Sequence, residues 1–172
     1  MSDDRYLRGD ENHGLAPVGP PGLAISPVGP GDLDDLLRLV RAYCEFYEVA
    51  PSDEALLALS RALISDPARE GRQWMARIDG EAVGFATVYW TWSTLSAARV
   101  GTLYDLYVRA DVRRAGVARA LLTTCLEACH EHGATTLSWQ TALDNETAQR
   151  LYDRIGATRE HWLDYWLPVA GA

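Results

Sequence analysis

The chain has 172 residues, 48% hydrophobic and 23% charged, a length and balance that suit one soluble globular domain with a full core and exclude a chain too small to fold without staples. Sixteen Arg and Lys against twenty-four Asp and Glu give a formal charge of -8, which argues against nucleic acid or an anionic membrane as partner and suits amines, polyamines or basic peptides. No apolar run reaches the ~18 residues of a membrane span. The three cysteines, Cys44, Cys125 and Cys129, are too few and odd in number for a disulfide framework, and with no apolar export signal at the start a reduced, cytoplasmic protein is expected.

Residues 1–22, polar and then rich in Pro and Gly, are expected to form a mobile tail before a single folded domain over residues 23–172. Leu23 to Val28 reads as a first strand. Pro30-Gly31-Asp32 opens a helix, with Asp32 as N-cap and Leu33, Leu36, Leu37, Val40 and Cys44 at helical spacing. A second helix follows Pro51-Ser52, carries Leu56, Leu59 and Leu63, and ends before Pro67. The period then changes to that of strands. Gln73 to Ile78 is one, Asp79-Gly80 is a hairpin signal, and residues 81–92 make a long aromatic strand. After a loop through Ser93–Ala98 comes a strand from Arg99 to Val108. Residues 116–132 are an amphipathic helix with Val117, Leu121, Leu122, Cys125 and Cys129 on one side, stopped by Gly133. Thr135 to Thr141 reads as a strand, Asn145 caps a short helix ending before Gly156, and the aromatic-rich residues 157–167 read as one or two closing strands. The order predicts an α/β (α+β) domain: a mixed, twisted central sheet with helices on both faces.

The chemistry is concentrated in residues 103–122. A strand ends at Val108, a polar turn follows, and Arg113-Arg114-Ala115-Gly116-Val117-Ala118 runs directly into a helix. The first N–H groups of a helix have no intrahelical partner, and its dipole favours anions. Small residues at 116 and 118 let a phosphate approach the main chain, while Arg113, Arg114 and Arg119 add positive charge to an acidic protein. The segment is thus a candidate site for a phosphate or diphosphate, or an ordinary strand–helix turn with solvated Arg residues. Neither the P-loop nor the dinucleotide fingerprint is present.

With Arg113, Gly116 and Ala118 at the fixed positions of Q/R-x-x-G-x-G/A, the chain resembles the GNAT acetyltransferase superfamily. The likeness extends to LSWQTALDNETAQRLYDRIGA, residues 137–157, where a strand is followed by an Asn-containing turn (Asn145) and a helix bearing Tyr152. It implies acetyl-CoA in a cleft where two parallel strands splay apart in a V, and direct attack by an amine in a ternary complex. By this resemblance the main chain of Leu106, Tyr107 and Val108 pairs with the pantetheine arm. The loop from Arg113 through Arg114, Ala115, Gly116, Val117 and Ala118 to Arg119 holds the diphosphate. Asn145 contacts the cofactor or caps its helix, and Tyr152 protonates the leaving thiolate. A homodimer is common among such enzymes. Tyr152 also has a plain core reading, since Ala148 and Ile155 share its helix face.

An amine attacks a thioester only as the free base, yet an alkyl amine of the lysine type has a pKa of ~10.4, so the site must remove a proton. FATVYWTWSTLSAARVGTLYDLYV is similar to the diamine, polyamine and histone acetyltransferase branch, and Asp105 falls on its acidic position. Tyr104 stands where many of those relatives carry a second acid. Asp105 either holds the ammonium and relays its proton or is a buried structural Asp. Glu45, Tyr47 and Glu48, beside Tyr43, are candidates to line the acceptor pocket, and Trp90 and Trp92 to offer aromatic faces to a cation. Cys125, Cys129, His130 and His132 are not read as a metal site, because the cysteines lie on the apolar helix face and no second ligand cluster completes it. An N-acetyltransferase acting on a small amine, a polyamine or a protein lysine is the expectation. An aminoglycoside- or metabolite-acetylating enzyme and a non-catalytic acyl-CoA-binding module are the alternatives.

Overall fold

The structure, a computed structural model, describes residues 19–169. Most of the expected N-terminal tail, residues 1–18, lies outside the described residues. The chain divides into two compact units, Met1–Gln140 and Thr141–Ala172.

The first unit is a five-stranded sheet in the order β1-β2-β3-β4-β5. The strands are β1 (Leu23–Pro27), β2 (Gly71–Ile78), β3 (Glu81–Ser93), β4 (Ala98–Val108) and β5 (Ala134–Ser138). The first four are mutually antiparallel, and only β4 and β5 run parallel. Asp79 and Gly80, with φ of 49° and 86°, turn β2 tightly into β3 as the sequence predicts. Helix α1 (Leu33–Phe46) lays Leu36 and Leu39 against Met75 and Phe85 on one face of the sheet. Helix α2 (Asp53–Ser65) packs on β2, its start capped by Ser52, whose hydroxyl accepts from the Ala55 N–H at 3.2 Å. Helix α3 (Val117–Glu131) buries Leu121, Leu122, Cys125 and Cys129 on the opposite face. It sits close to β4: a Cβ at Gly101 would come 2.6 Å from the Cys129 sulfur. Burial pushes the Cys129 thiol up to about 11, so both α3 cysteines behave as small hydrophobes.

Three local expectations change. Asp32 does stand at the N-cap of α1, but its carboxylate makes no cap bond to the helix. It accepts instead from the Gly29 N–H at 2.9 Å and pairs with Arg77 at 2.9 Å, while Arg77 also reaches Asp35 at 2.7 Å. One guanidinium thus ties β2 to the start of α1. Strand β5 ends at Ser138 rather than at Thr141.

The second unit holds α4 (Glu146–Arg154), capped by Asn145, whose side chain accepts from the Ala148 N–H at 3.2 Å. The expected closing strands at 157–167 do not form: the segment has no regular secondary structure. Its aromatic residues, Trp162, Tyr165 and Trp166, suit a strand, but a strand also needs a neighbouring strand, and among the described residues no ladder includes the segment.

Candidate active site

The site begins at an irregularity in β4. Thr87 of β3 stands opposite Asp105 and Val88 opposite Leu103, so Tyr104 is left without a cross-strand partner. Such a bulge re-aims side chains. Tyr104 and Asp105, though consecutive, both come beside Tyr89: the Tyr89 and Tyr104 rings lie 5.4 Å apart, edge to face, and the Asp105 charge acts on the Tyr89 phenol. Tyr104 is 70% exposed, whereas Asp105 is partly buried.

Desolvation lifts the Asp105 carboxyl above the usual aspartate range, and hydrogen bonds from Thr87 and Tyr43 oppose that rise. Tyr43 reaches in from α1. Burial and then the neighbouring Asp105 charge push its phenol far up, so it stays a donor. The Tyr89 phenol is pushed up to about 12, by burial first and the Asp105 charge second. Tyr47 and Tyr107 extend the aromatic surround, with rings 5.0 Å and 6.0 Å from that of Tyr43. A carboxylate walled by phenols offers an ammonium both a counter-charge and ring faces.

Beyond this point the sheet opens. Pairing between β4 and β5 runs from Arg99 opposite Ala134 to Thr102 opposite Ser138 and stops, while β4 continues to Val108. Among the described residues no strand pairs with Leu106, Tyr107 or Val108 on the β5 side. One wall of the expected V, strand-like main chain without a strand partner on that side, is therefore in place.

Past Val108 the chain makes a short 3₁₀ turn, Ala110–Val112, and enters the loop before α3. Arg114 has φ of 67° and Gly116, the N-cap of α3, has φ of 90°. Alternation of left-handed residues turns successive N–H groups toward one concavity, a form that binds anions. Gly116 offers no side-chain cap. Among the described residues no oxygen accepts from the main-chain N–H groups of Arg114, Ala115, Gly116, Val117, Ala118 or Arg119. The Arg119 Nε is buried and also lacks a partner there. These open donors fit a diphosphate. Arg113 does something other than reach outward: its Nε donates to the Val108 carbonyl at 3.0 Å and clips the loop to the end of β4.

The remaining predicted residues divide. Glu45, Tyr47 and Glu48 are exposed at the end of α1, with Tyr47 on Tyr43 and so one ring from Asp105. Trp90 is a correction. It is 8% exposed, its indole N–H donates to the Pro67 carbonyl at 2.9 Å, and its ring stacks on His132 at 4.2 Å. It belongs to the side of the sheet that α3 covers, since Gly101 opposite it meets Cys129, and its face is closed to a cation. Trp92 is 65% exposed, and the Arg99 guanidinium lies over its ring at 4.7 Å, a cation already in place. In the second unit Asn145 caps α4, and Tyr152 lies half-buried on that helix. Sequence reasoning missed Thr87, Tyr89 and Gln73. The available signal was a polar Thr between Phe85 and Tyr89 in a strand whose neighbours are otherwise apolar.

The chain is similar to known proteins over most of its length. The model of the acetyltransferase (GNAT) family matches residues 34–157. YhfO of Bacillus subtilis (strain 168), an uncharacterized N-acetyltransferase, is 31% identical over 125 residues, covering 73% of this chain and 83% of that protein. A thialysine N-epsilon-acetyltransferase of Caenorhabditis elegans is 28% identical, over 76% of this chain and 80% of its own. The crystal structure of a probable acetyltransferase superposes with a TM-score of 0.75 at 30% identity, covering 87% of this chain and 99% of that one. With an unpartnered end of β4, an amide-lined turn and a family match spanning both, the chain belongs to the GNAT acetyltransferase family and is an N-acetyltransferase.

Proposed function

We propose that the chain transfers the acetyl group of acetyl-CoA to the primary amine of a small cationic molecule, with a basic peptide as the second acceptor class. The observation that carries this reading is the desolvated Asp105 carboxylate among Tyr43, Tyr89 and Tyr104, on the strand that leads into the open amide loop. Acetyl-CoA supplies the activated thioester. The N–H groups of Arg114 to Arg119 would hold its diphosphate and the main chain of Leu106, Tyr107 and Val108 its pantetheine arm, while Asn145 caps α4.

Asp105 binds the acceptor's ammonium and takes its proton, so that the nitrogen lone pair is free to form the new C–N bond as the C–S bond breaks. The nitrogen loses two protons, which leave through Asp105 to solvent; the departing sulfur needs one, which the family likeness assigns to the Tyr152 phenol, and the phenolate would regain its proton from solvent. The formal charge of -8 supports a cationic acceptor. Tyr104, in place of a second acid, supports one ammonium bound between a carboxylate and aromatic faces rather than a long polycation. The thialysine-acetylating relative has a substrate of that size class. The test is thiol release from acetyl-CoA with thialysine, lysine, diamines, spermidine, amino sugars and a histone-tail peptide. Turnover best with a short diamine or amino acid side-chain amine supports the reading. Cofactor binding without turnover across the panel overturns it.

A further inference from the structure

One polar row runs across the middle of the sheet. Gln73 of β2 stands opposite Thr87 of β3, and Thr87 stands opposite Asp105 of β4. Directly opposed residues share a face, so the three side chains lie side by side across three adjacent strands. Gln73 is 4% exposed and Thr87 fully buried, in a layer otherwise filled by Met75, Phe85 and Leu36. Two buried polar side chains in such a layer cost stability unless they are satisfied. Gln73 Nε2 donates to Thr87 Oγ1 at 3.2 Å. A threonine hydroxyl has a single proton. Because an N–H fills its accepting side, that proton is directed to Asp105, with which Thr87 is hydrogen-bonded. Gln73 Oε1 is buried and has no partner among the described residues. Turning the amide over would place that oxygen on Thr87, draw the hydroxyl proton away and leave Asp105 with Tyr43 alone. Either orientation leaves one atom of the amide unpaired, and the one observed is the one that keeps the Thr87 hydroxyl proton available to Asp105.

We propose that Gln73 and Thr87 are positioning residues for acetyl transfer, a relay of hydrogen-bond direction from β2 that holds the Asp105 side chain in its ionised form and in one orientation. The proposal rests on the assignment of Asp105 as the group that accepts the amine's proton. The titratable groups that bear on Asp105 are Tyr43 and, next to it, Tyr47 from α1, Tyr89 from β3, and Tyr104 and Tyr107 from β4. All are phenols.

The experiment compares Thr87→Val, which keeps the shape and removes the hydroxyl, with Thr87→Ser, which restores it. The readouts are the pH profile of kcat/KM and the titration of the 13C-labelled Asp105 carboxyl in the full chain. Thr87→Val is expected to move the acid limb and the carboxyl titration upward by about one pH unit. This lowers kcat/KM about tenfold below the limb, while the plateau above it stays within about threefold. Thr87→Ser is expected to restore both. Gln73→Leu moves both the same way by less, and serves in place of Thr87→Val should that variant not fold. A carboxyl titration unchanged in a folded variant overturns the row. If Asp105→Asn keeps full activity, the catalytic assignment of Asp105 fails instead, and with it the positioning role, even where the carboxyl titration has moved.

Discussion

The two halves of the site are built from different materials. Around Asp105 the working atoms belong to side chains: a carboxylate, two hydroxyls and a set of rings, brought together from α1, β3 and β4. In the loop before α3 they belong to the main chain, and the side chains serve mainly to let the backbone take its path. Side-chain chemistry is lost with one atom, whereas main-chain chemistry survives most substitutions and fails only when a dihedral angle is denied. The proposed acceptor side should therefore be fragile to conservative replacement, and the proposed cofactor side sensitive to backbone shape.

The sharpest way to break that contrast is Asp105→Asn. It is expected to lower kcat/KM by about 10²–10⁴-fold, measured by thiol release. It should also stabilise the fold. Burial holds the Asp105 carboxyl above its ordinary value, so its stability contribution is full below the unfolded value of ~3.9 and is lost as pH rises through the raised folded one. The gain in Tm should appear at pH 7 and vanish near pH 3, and a Tm that falls at pH 7 would contradict the desolvated carboxylate.

On the other side, Gly116→Val forces a β-branched residue to a φ of 90°, a strain of about 1–3 kcal/mol. Calorimetric titration with coenzyme A should show about 10- to 100-fold weaker binding. Arg114→Gln changes a neighbouring side chain but keeps its amide, and should weaken binding by no more than about threefold. Equal losses in the two variants would mean that side-chain charge, and not main-chain N–H groups, holds the anion.

A smaller effect tests the frame itself. Arg77→Met removes the guanidinium shared by Asp32 and Asp35 and should cost about 1 kcal/mol at neutral pH in thermal unfolding. The Gly29 N–H and then Arg77 hold Asp32 below the ordinary carboxylate range. This support is present above ~3.9 and lost as pH falls through the lowered value, so variant and parent should converge in acid.

Legibility in the sequence follows the same division. The loop was readable because its requirements are local: a strand end, Gly116 and Ala118, and a helix start lie within a dozen residues. The helices and the Asp79-Gly80 hairpin were readable for the same reason. Asp105 could be singled out only through its motif. Tyr43 could be named only as part of the α1 end, and Thr87 and Gln73 could not be found at all, because their place beside Asp105 is set by cross-strand register and by a bulge at Tyr104 that no local pattern announces. Trp90 misled for a related reason: one step along β3 exchanges the open face for the one beneath α3. The segment at 157–167 had the aromatic composition of a strand without a strand to pair with, and composition says nothing about neighbours.

The bond from Arg113 Nε to the Val108 carbonyl has a consequence for how a ligand is met. It fixes the spacing between the last rung of β4 and the first turn of α3, so a long, flexible thiol nucleotide bound as proposed would meet two grips already set apart at a constant gauge. Capture then costs little rearrangement of the protein, and the ordering penalty falls mainly on the guest molecule.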